Sequence, residues 1–383
     1  MDCKDPQLFD MNNNITHSVL QTLFLFQQTY SAVHRYVAVL LCLFGLLANS
    51  IHIWVLTRPR MQFSSVHTLL VCIAVSDMGT MTSYLIYMTR FEFMQDHRGY
   101  PYSWALFLKI HVVLSIALHA ITLYLVVLMA FVRYSAMRVA TSGWLQPRRS
   151  ILAAIGIAIC VFVLCVPTLL AHEITARRAV STQGEVSKRY SIGFSDMVLE
   201  NSCLLLKGNL WLTGIFLKAI PCVLLFWFTI ALIGRMKENK EKRKKLLKSR
   251  DDKGKRDVTT YMLVFMVAVF LTTELPQGVM AVLNALYTSQ FHAYVYLSLA
   301  DVLDLLSLIN CYVAFLVYIC TCSRYRQTLL SILPERPLIL SAATSHSTMK
   351  RDKLTYSTLN GAEAGTPLKP VQPDLPEEQD HLL

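Results

Sequence analysis

Charged side chains are scarce in this chain of 383 residues: Asp, Glu, Lys and Arg together make up 16% of it, against roughly a quarter in an average soluble domain. Glycine and proline are also modest, at 14 and 13, which excludes a collagen-like or low-complexity chain. No nucleotide-cradling glycine loop, catalytic serine elbow or His-Glu-x-x-His stretch occurs. Nothing therefore reads as an enzyme, and no cofactor is expected. The first ten residues are acidic and polar, with no basic stretch leading into an apolar core. A cleavable leader is not expected, and the first apolar window would serve as the insertion signal. What is plentiful is apolar side chain: 54% of the residues are hydrophobic and the mean hydropathy is +0.43. A soluble sphere of this size could not hide that much, so a polytopic membrane protein remains.

Seven long apolar windows lie near 33–56, 66–91, 105–132, 150–171, 210–234, 258–287 and 291–320. A helical span needs about 20 residues. Barrel strands would be about ten residues long and alternating, so the windows read as helices with satisfied backbones. The fold class expected is an all-α membrane bundle of seven helices: an N-terminal segment 1–32 outside, the bundle at 33–320, a short amphipathic membrane-surface helix at 321–332 and a tail at 333–383. The tail is dominated by Pro, Ser, Thr, Glu and Lys and is expected to be disordered. Its cluster Ser341, Thr344, Ser345, Ser347 and Thr348 offers hydroxyls to kinases.

Basic residues give the orientation. One set of flanks carries Arg58, Arg60, Arg133, Arg138, Arg148, Arg149, the 235–257 linker with its twelve Lys and Arg, and then Arg324 and Arg326. The opposite flanks hold Lys4, Arg90, Arg98, Lys109, Arg177, Arg178, Lys188, Arg189 and Lys207. The N-terminus is thus expected outside and the tail inside. The net charge of +11 follows from membrane topology and calls for no nucleic acid. The linker could also touch anionic lipid of the inner leaflet. Asn14-Ile15-Thr16 is a glycosylation sequon on the outer side. Most of the ten cysteines sit in the spans, where thiols pack as small apolar groups. Cys3 and Cys203 fall on the oxidising side and could pair, which spacing alone does not decide. Cys320 and Cys322, at the inner end of span seven, are either palmitoylation sites or inert thiols.

Of 25 acidic residues only Asp77, Glu274, Asp301 and Asp304 fall inside spans. An ionisable group in lipid is costly unless paired or hydrated, so these are the first functional candidates. Glu274 and Gln277 share a face of span six around Pro276, where a missing backbone hydrogen bond permits a bend. Asp301 and Asp304 share a face at the outer end of span seven; with Glu274 they would make an electronegative cup open to the outside. His111, Ser115 and His119 form one polar stripe on span three. Lys218 precedes Pro221 in span five; it either pairs with Glu274 across the bundle or is hydrated in the cavity. The alternative reading of each is a neutral, hydrogen-bonded structural group. A zinc site lacks the ligand spacing it would need.

In their order and placement, several motifs resemble the rhodopsin class of G-protein-coupled receptors. They are Gly45-x-x-x-Asn49 in span one, Ala74-Val75-Ser76-Asp77 in span two, Arg133-Tyr134 closing span three, Pro221 in span five, and Phe270 with Pro276 in span six. There are departures: Val132 replaces the acid before Arg133, and Glu274 stands in place of the usual Trp. Span seven ends Ala314-Phe315-Leu316-Val317-Tyr318, without the usual Asn and Pro, and Leu108 occupies the place of a cysteine. Thr273-Glu274-Leu275-Pro276-Gln277-Gly278, Leu56-Thr57-Arg58-Pro59, Leu217-Lys218-Ala219-Ile220-Pro221-Cys222 and Ser103-Trp104-Ala105 with His111 and His119 resemble the invertebrate myosuppressin receptors, which answer FMRFamide-like neuropeptides.

The resemblance implies a plasma-membrane receptor for an amidated peptide, coupled to heterotrimeric G proteins of the inhibitory class. Asp301, Asp304 and Glu274 would face a guanidinium, Gln277 and His119 the neutral amide, and Tyr84 and Tyr87 a phenyl ring; His111 and Lys218 complete the candidate pocket. Asp77, Arg133, Tyr134, Phe270, Pro276 and Tyr318 would carry activation to the inner face. Without a neighbouring acid, Arg133 is expected to be loosely restrained, with basal signalling as the result. Asp77, Thr122 and Asn310 could form a partial sodium site. Among other readings, a transporter is disfavoured by the odd span number and the lack of an inverted repeat, and a channel by the lack of a filter segment. An opsin would need a lysine in span seven, and an amine receptor an acid where Ser115 stands. A chemosensory serpentine receptor for a small molecule is the main competitor.

Overall fold

The computed structural model describes residues 3 and 5–332 except 62–63, 96–98, 139–142, 181–185 and 247–252. The expectations for the 333–383 tail and its hydroxyl cluster, and for the middle of the basic linker, therefore lie outside the described residues. In chain order the elements are α1 (Asn14–Leu56), α2 (Ser65–Tyr87), α3 (Tyr102–Arg138), α4 (Pro147–Leu164), α5 (Val166–Ala171), β1 (His172–Val180), β2 (Val186–Phe194), α6 (Asp196–Trp211), α7 (Ile220–Leu246), α8 (Lys253–Leu286), α9 (Leu297–Thr321) and α10 (Ser323–Ile332). Among the described residues, seven helical segments are long and apolar enough to cross a bilayer, one in each sequence window. Residues Met1–Thr328 form one unit and Leu329–Leu383 another, of which only the end of α10 is described.

Local sequence explains the boundaries. The Asn13 side chain accepts the Ile15 amide and starts α1, as a good N-cap does. Pro147 and Pro167 sit in the first turns of α4 and α5, where their missing N–H costs nothing. At 43 residues, α1 is about 65 Å long, roughly twice the hydrocarbon thickness, so the helix runs well beyond the window read from hydropathy. Gly45 lets spans one and two meet, since a Cβ there would collide with Met81 Sδ. Asn49 then donates to Cys311 O at 2.7 Å, tying span one to span seven beside a shared core of Ala38, Cys42, Met81, Met88, Leu308 and Cys311.

Among the described residues, three π-helical turns interrupt the outer halves of the spans: Met88–Phe93 ends span two, Leu212–Ala219 lies within span five, and His292–Tyr296 opens span seven. A π turn re-aims the side chains around it and often marks a functional site.

The outer face carries two features that hydropathy cannot register. Strands β1 and β2 form an antiparallel hairpin with Ile174 opposite Ile192, and Tyr100 pairs with Tyr190 at its edge. The second feature is a strap. Cys3 is disulfide-bonded to Cys203, which resolves the pairing left open by spacing. Its neighbourhood of Ala171, Val198 and Leu206 is buried. Asn201, Ser202 and Cys203 hold left-handed backbone, a conformation rare for residues with a Cβ. Asp5 accepts the Ser289 N–H at 2.7 Å and its hydroxyl at 2.9 Å, and pairs with Lys207 at 2.6 Å. Gln290 Oε1 accepts the Leu8 and Phe9 amides. The segment thus joins span five to the link between spans six and seven.

Burial opposes the charge of Asp5, but the Lys207 ammonium and the Ser289 N–H and hydroxyl outweigh it and hold the carboxyl below its ordinary range. A depressed carboxyl stabilises above its unfolded pKa and loses that contribution as pH falls through the folded value. The stability difference between the native chain and Asp5→Asn should therefore be constant from about pH 5 upward and vanish well below the ordinary carboxylate pKa of about 3.9. Thermal unfolding of both chains across that range checks it; the lack of a difference above about pH 5 would remove Asp5 from the strap's energetics, and an undiminished difference at low pH would show that its charge is not what contributes.

Candidate functional site

The interior polar residues assemble into three connected groups. The first is centred on Glu274, only 2% exposed. Its Oε2 meets His119 Nε2 at 3.1 Å, and its Oε1 accepts the Asn310 amide. Asn310 Oδ1 in turn accepts the Thr273 hydroxyl at 2.7 Å. Glu274 therefore links spans three, six and seven. The pairing suggested for Lys218 and Glu274 is not formed: Lys218 Nζ donates to Gln277 Oε1 at 3.3 Å, which also accepts the Ser307 hydroxyl at 3.0 Å. The hydrogen-bond partners of the Glu274 carboxylate lie instead on spans three and seven. Glu274 is accordingly committed inside the bundle and is not a free carboxylate at a mouth.

The second group lies nearer the outer end. Asp304 accepts the Tyr84 hydroxyl at 3.0 Å, and Tyr84 is also 3.0 Å from His34 Nε2. Asp304 keeps exposed surface although its helical neighbours Leu303 and Leu308 are buried, while its carboxyl group lies deep among the side chains around Tyr84. Asp301, three residues earlier on the same face, is half-buried and accepts no hydrogen bond among the described residues. His111 is buried against the Ser83 hydroxyl at 2.6 Å. Its ring stacks on Tyr87 at 4.9 Å and on Phe107 at 5.9 Å, and Phe91 extends this aromatic wall. Two carboxylates of span seven, one half-buried and one exposed, thus lie close to this aromatic wall.

The third group is at the inner end. Arg133 Nη2 donates to the Tyr318 hydroxyl at 3.0 Å. The Tyr318 ring packs against His52, His67 and Tyr325, and His52 Nδ1 is 3.1 Å from the Tyr325 hydroxyl. Val132 is fully buried, so the missing acid leaves no hole; Tyr318 supplies the restraint on Arg133 from span seven instead. Tyr134 lies against Phe228 on span five, and Phe270 is buried one turn below Glu274. Pro276 sits within a continuous α8.

Asp77 accepts the Thr122 hydroxyl at 2.8 Å, but Asn310 is turned to Glu274 and Thr273. The three residues suggested for sodium are split between two hydrogen-bonded groups, and no acid-, His- or Cys-based metal cluster occurs among the described residues. Asn14 is exposed at the first turn of α1. His34, His52, His67 and Ser83 belong to the groups above and were not singled out from sequence. The signal was present, since each histidine is an ionisable residue in a span, the criterion applied to the acids.

The sequence matches the family of serpentine type 7TM GPCR chemoreceptors Srw over residues 36–335. It is also 31% identical over 371 residues to the G-protein coupled receptor dmsr-1 of Caenorhabditis elegans, covering 85% of this chain and 72% of that relative. The seven helices, the Arg133–Tyr318 contact at the inner end and these similarities converge: the chain belongs to the serpentine Srw family, and is a multi-pass G-protein-coupled receptor.

Proposed function

We propose that this receptor sits in the plasma membrane and answers an amidated neuropeptide ending in Arg-Phe-amide, signalling through heterotrimeric G proteins of the inhibitory class. The observation that carries the reading is the pair Asp301 and Asp304, two carboxylates on one face of span seven, the first half-buried and the second exposed. A guanidinium matches paired carboxylates in a fork, and local negative potential concentrates a cationic peptide. The wall of Tyr87, Phe91, Phe107 and His111 suits a phenyl ring. The likeness of Thr273 to Gly278 and of Leu217 to Cys222 to the myosuppressin receptors supports the same class. Sequestration by arrestin through the tail belongs to this proposal.

A second reading, a chemosensory receptor for a small molecule, is favoured by the description of the matching family. A G-protein activation screen separates the two: amidated peptides should activate, and volatile or small polar molecules should not. Within the peptide reading, Asp304→Asn should weaken an Arg-containing peptide by about tenfold to a hundredfold, the value of a charged hydrogen bond. The same peptide with neutral citrulline should lose far less. Equal losses would argue against charge pairing at span seven.

A further inference from the structure

Lys218 is the cation of the pocket, and among the described residues its one direct partner is the neutral amide of Gln277. It lies within the apolar window of span five, about eight residues or ~12 Å below the window's outer edge. Its ammonium could not be satisfied by reaching to the lipid surface, because Gln277 Oε1 fixes it at 3.3 Å on the interior face. Gln277 is 2% exposed and hydrogen-bonded to Ser307 and to Thr273 O, so the anchor is rigid. Among the described residues no carboxylate lies within ion-pair distance of Lys218. Its charge interacts with Glu274 and Asp304 only through space.

An unpaired ammonium in a membrane span is costly, and such residues mark sites by default. Lysine has three N–H groups and no acceptor, so after the bond to Gln277 two donors remain. The backbone around it is specialised. Lys218 occupies the π-helical stretch Leu212–Ala219, three residues before Pro221. At Gly214 spans five and six come so close that a Cβ would lie 3.0 Å from Ala281 O. The π turn and this tight seam aim position 218 at span six rather than at lipid.

We infer that Lys218 reads an acceptor oxygen, carbonyl or carboxylate, at the buried end of the ligand, and that with Asp301 and Asp304 on span seven it sets the ligand's direction across the bundle. The pocket is bipolar: anionic along span seven, cationic along span five. A ligand whose cation and acceptor lie in the opposite order meets repulsion at both ends, so the arrangement selects by sign as well as by size. The inference rests on the amidated-peptide reading and deepens it: the terminal amide presents its carbonyl oxygen to Lys218 while the guanidinium stays near Asp301 and Asp304.

The test uses the full-length receptor in membranes and three synthetic probes: Phe-Met-Arg-Phe-amide, its citrulline analogue, and its free acid. Affinity is read by competition with labelled Phe-Met-Arg-Phe-amide. Lys218→Met should lower affinity for the amide about tenfold and for the free acid by a further tenfold or more, since the acid loses a full charge pair. Lys218→Arg should recover most of both. Asp304→Asn should change the arginine-to-citrulline ratio and leave the acid-to-amide ratio as it is. Equal losses for acid and amide in Lys218→Met, or no loss, would overturn the assignment; surface labelling of each variant excludes misfolding. A wild-type receptor that binds none of the probes would overturn the peptide reading instead. In that case Lys218→Cys decides the inference. Modification by an impermeant thiol reagent from outside supports a cation facing the ligand cavity, and resistance overturns it.

Discussion

Glu274→Ala is expected to abolish ligand-driven signalling while the receptor still reaches the cell surface. Glu274 holds His119 on span three through one oxygen and Asn310 on span seven through the other, and its own helix carries Pro276 two residues on. Removing the buried carboxylate leaves both His119 and Asn310 without their partner, and hydrogen bonds to a charged group contribute about 1.5–3 kcal/mol each, so about 3–6 kcal/mol together. That corresponds to more than a hundredfold in an equilibrium. The loss is expected to arise from freed movement between spans three, six and seven rather than from a missing ligand contact. Glu274→Gln, which keeps an acceptor for one neighbour, should accordingly lie between alanine and the native residue. Dose–response curves with surface labelling check this. Near-native potency for the alanine variant would remove Glu274 from the mechanism.

The second large effect concerns the resting state. Because Val132 stands where an acid is usual, the sequence suggests an unrestrained Arg133 and signalling without ligand. The structure supplies a different restraint, the Tyr318 hydroxyl at 3.0 Å. Tyr318→Phe removes that acceptor and leaves the ring between His52, His67 and Tyr325. A hydrogen bond to a charged donor contributes about 1.5–3 kcal/mol, so ligand-free G-protein activation should rise by about tenfold or more. Basal activity equal to or below that of the native receptor would show that Arg133 is held by something else. The restraint reaches past span seven, because His52 connects the same cluster to Tyr325 at the start of α10.

Much of the architecture was legible because lipid leaves few choices. Length and hydropathy placed each of the seven helices, and the scarcity of charge made Asp77, Glu274, Asp301 and Asp304 conspicuous. The same logic placed Glu274 and His119 in one pocket. What it could not give was the pairing. Whether Lys218 meets Glu274 or Gln277 depends on helix rotation, and the π turn at Leu212–Ala219 shifts that rotation without a hydropathy signal. The sequence grouped Asn310 with Asp77; it lies on a buried face of α9, and packing turned it to Glu274 and Thr273 instead. The hairpin of β1 and β2 gives no hydropathy signal because its sequence is polar and basic, with Arg177, Arg178, Lys188 and Arg189 along it. Its order depends on the neighbouring Tyr100 as well as on its own pattern. The outward extension of α1 was hidden because a window tuned to membrane thickness stops where apolar density thins.

The bond between Cys3 and Cys203 spans 200 residues and encloses the first four membrane crossings in a single covalent ring. A protease that cuts the backbone once anywhere inside that ring opens it without releasing a fragment. The nicked receptor would run as an intact chain on a non-reducing gel and separate into two pieces only after thiol treatment. Apparent intactness at the cell surface is therefore no proof of an uncut polypeptide.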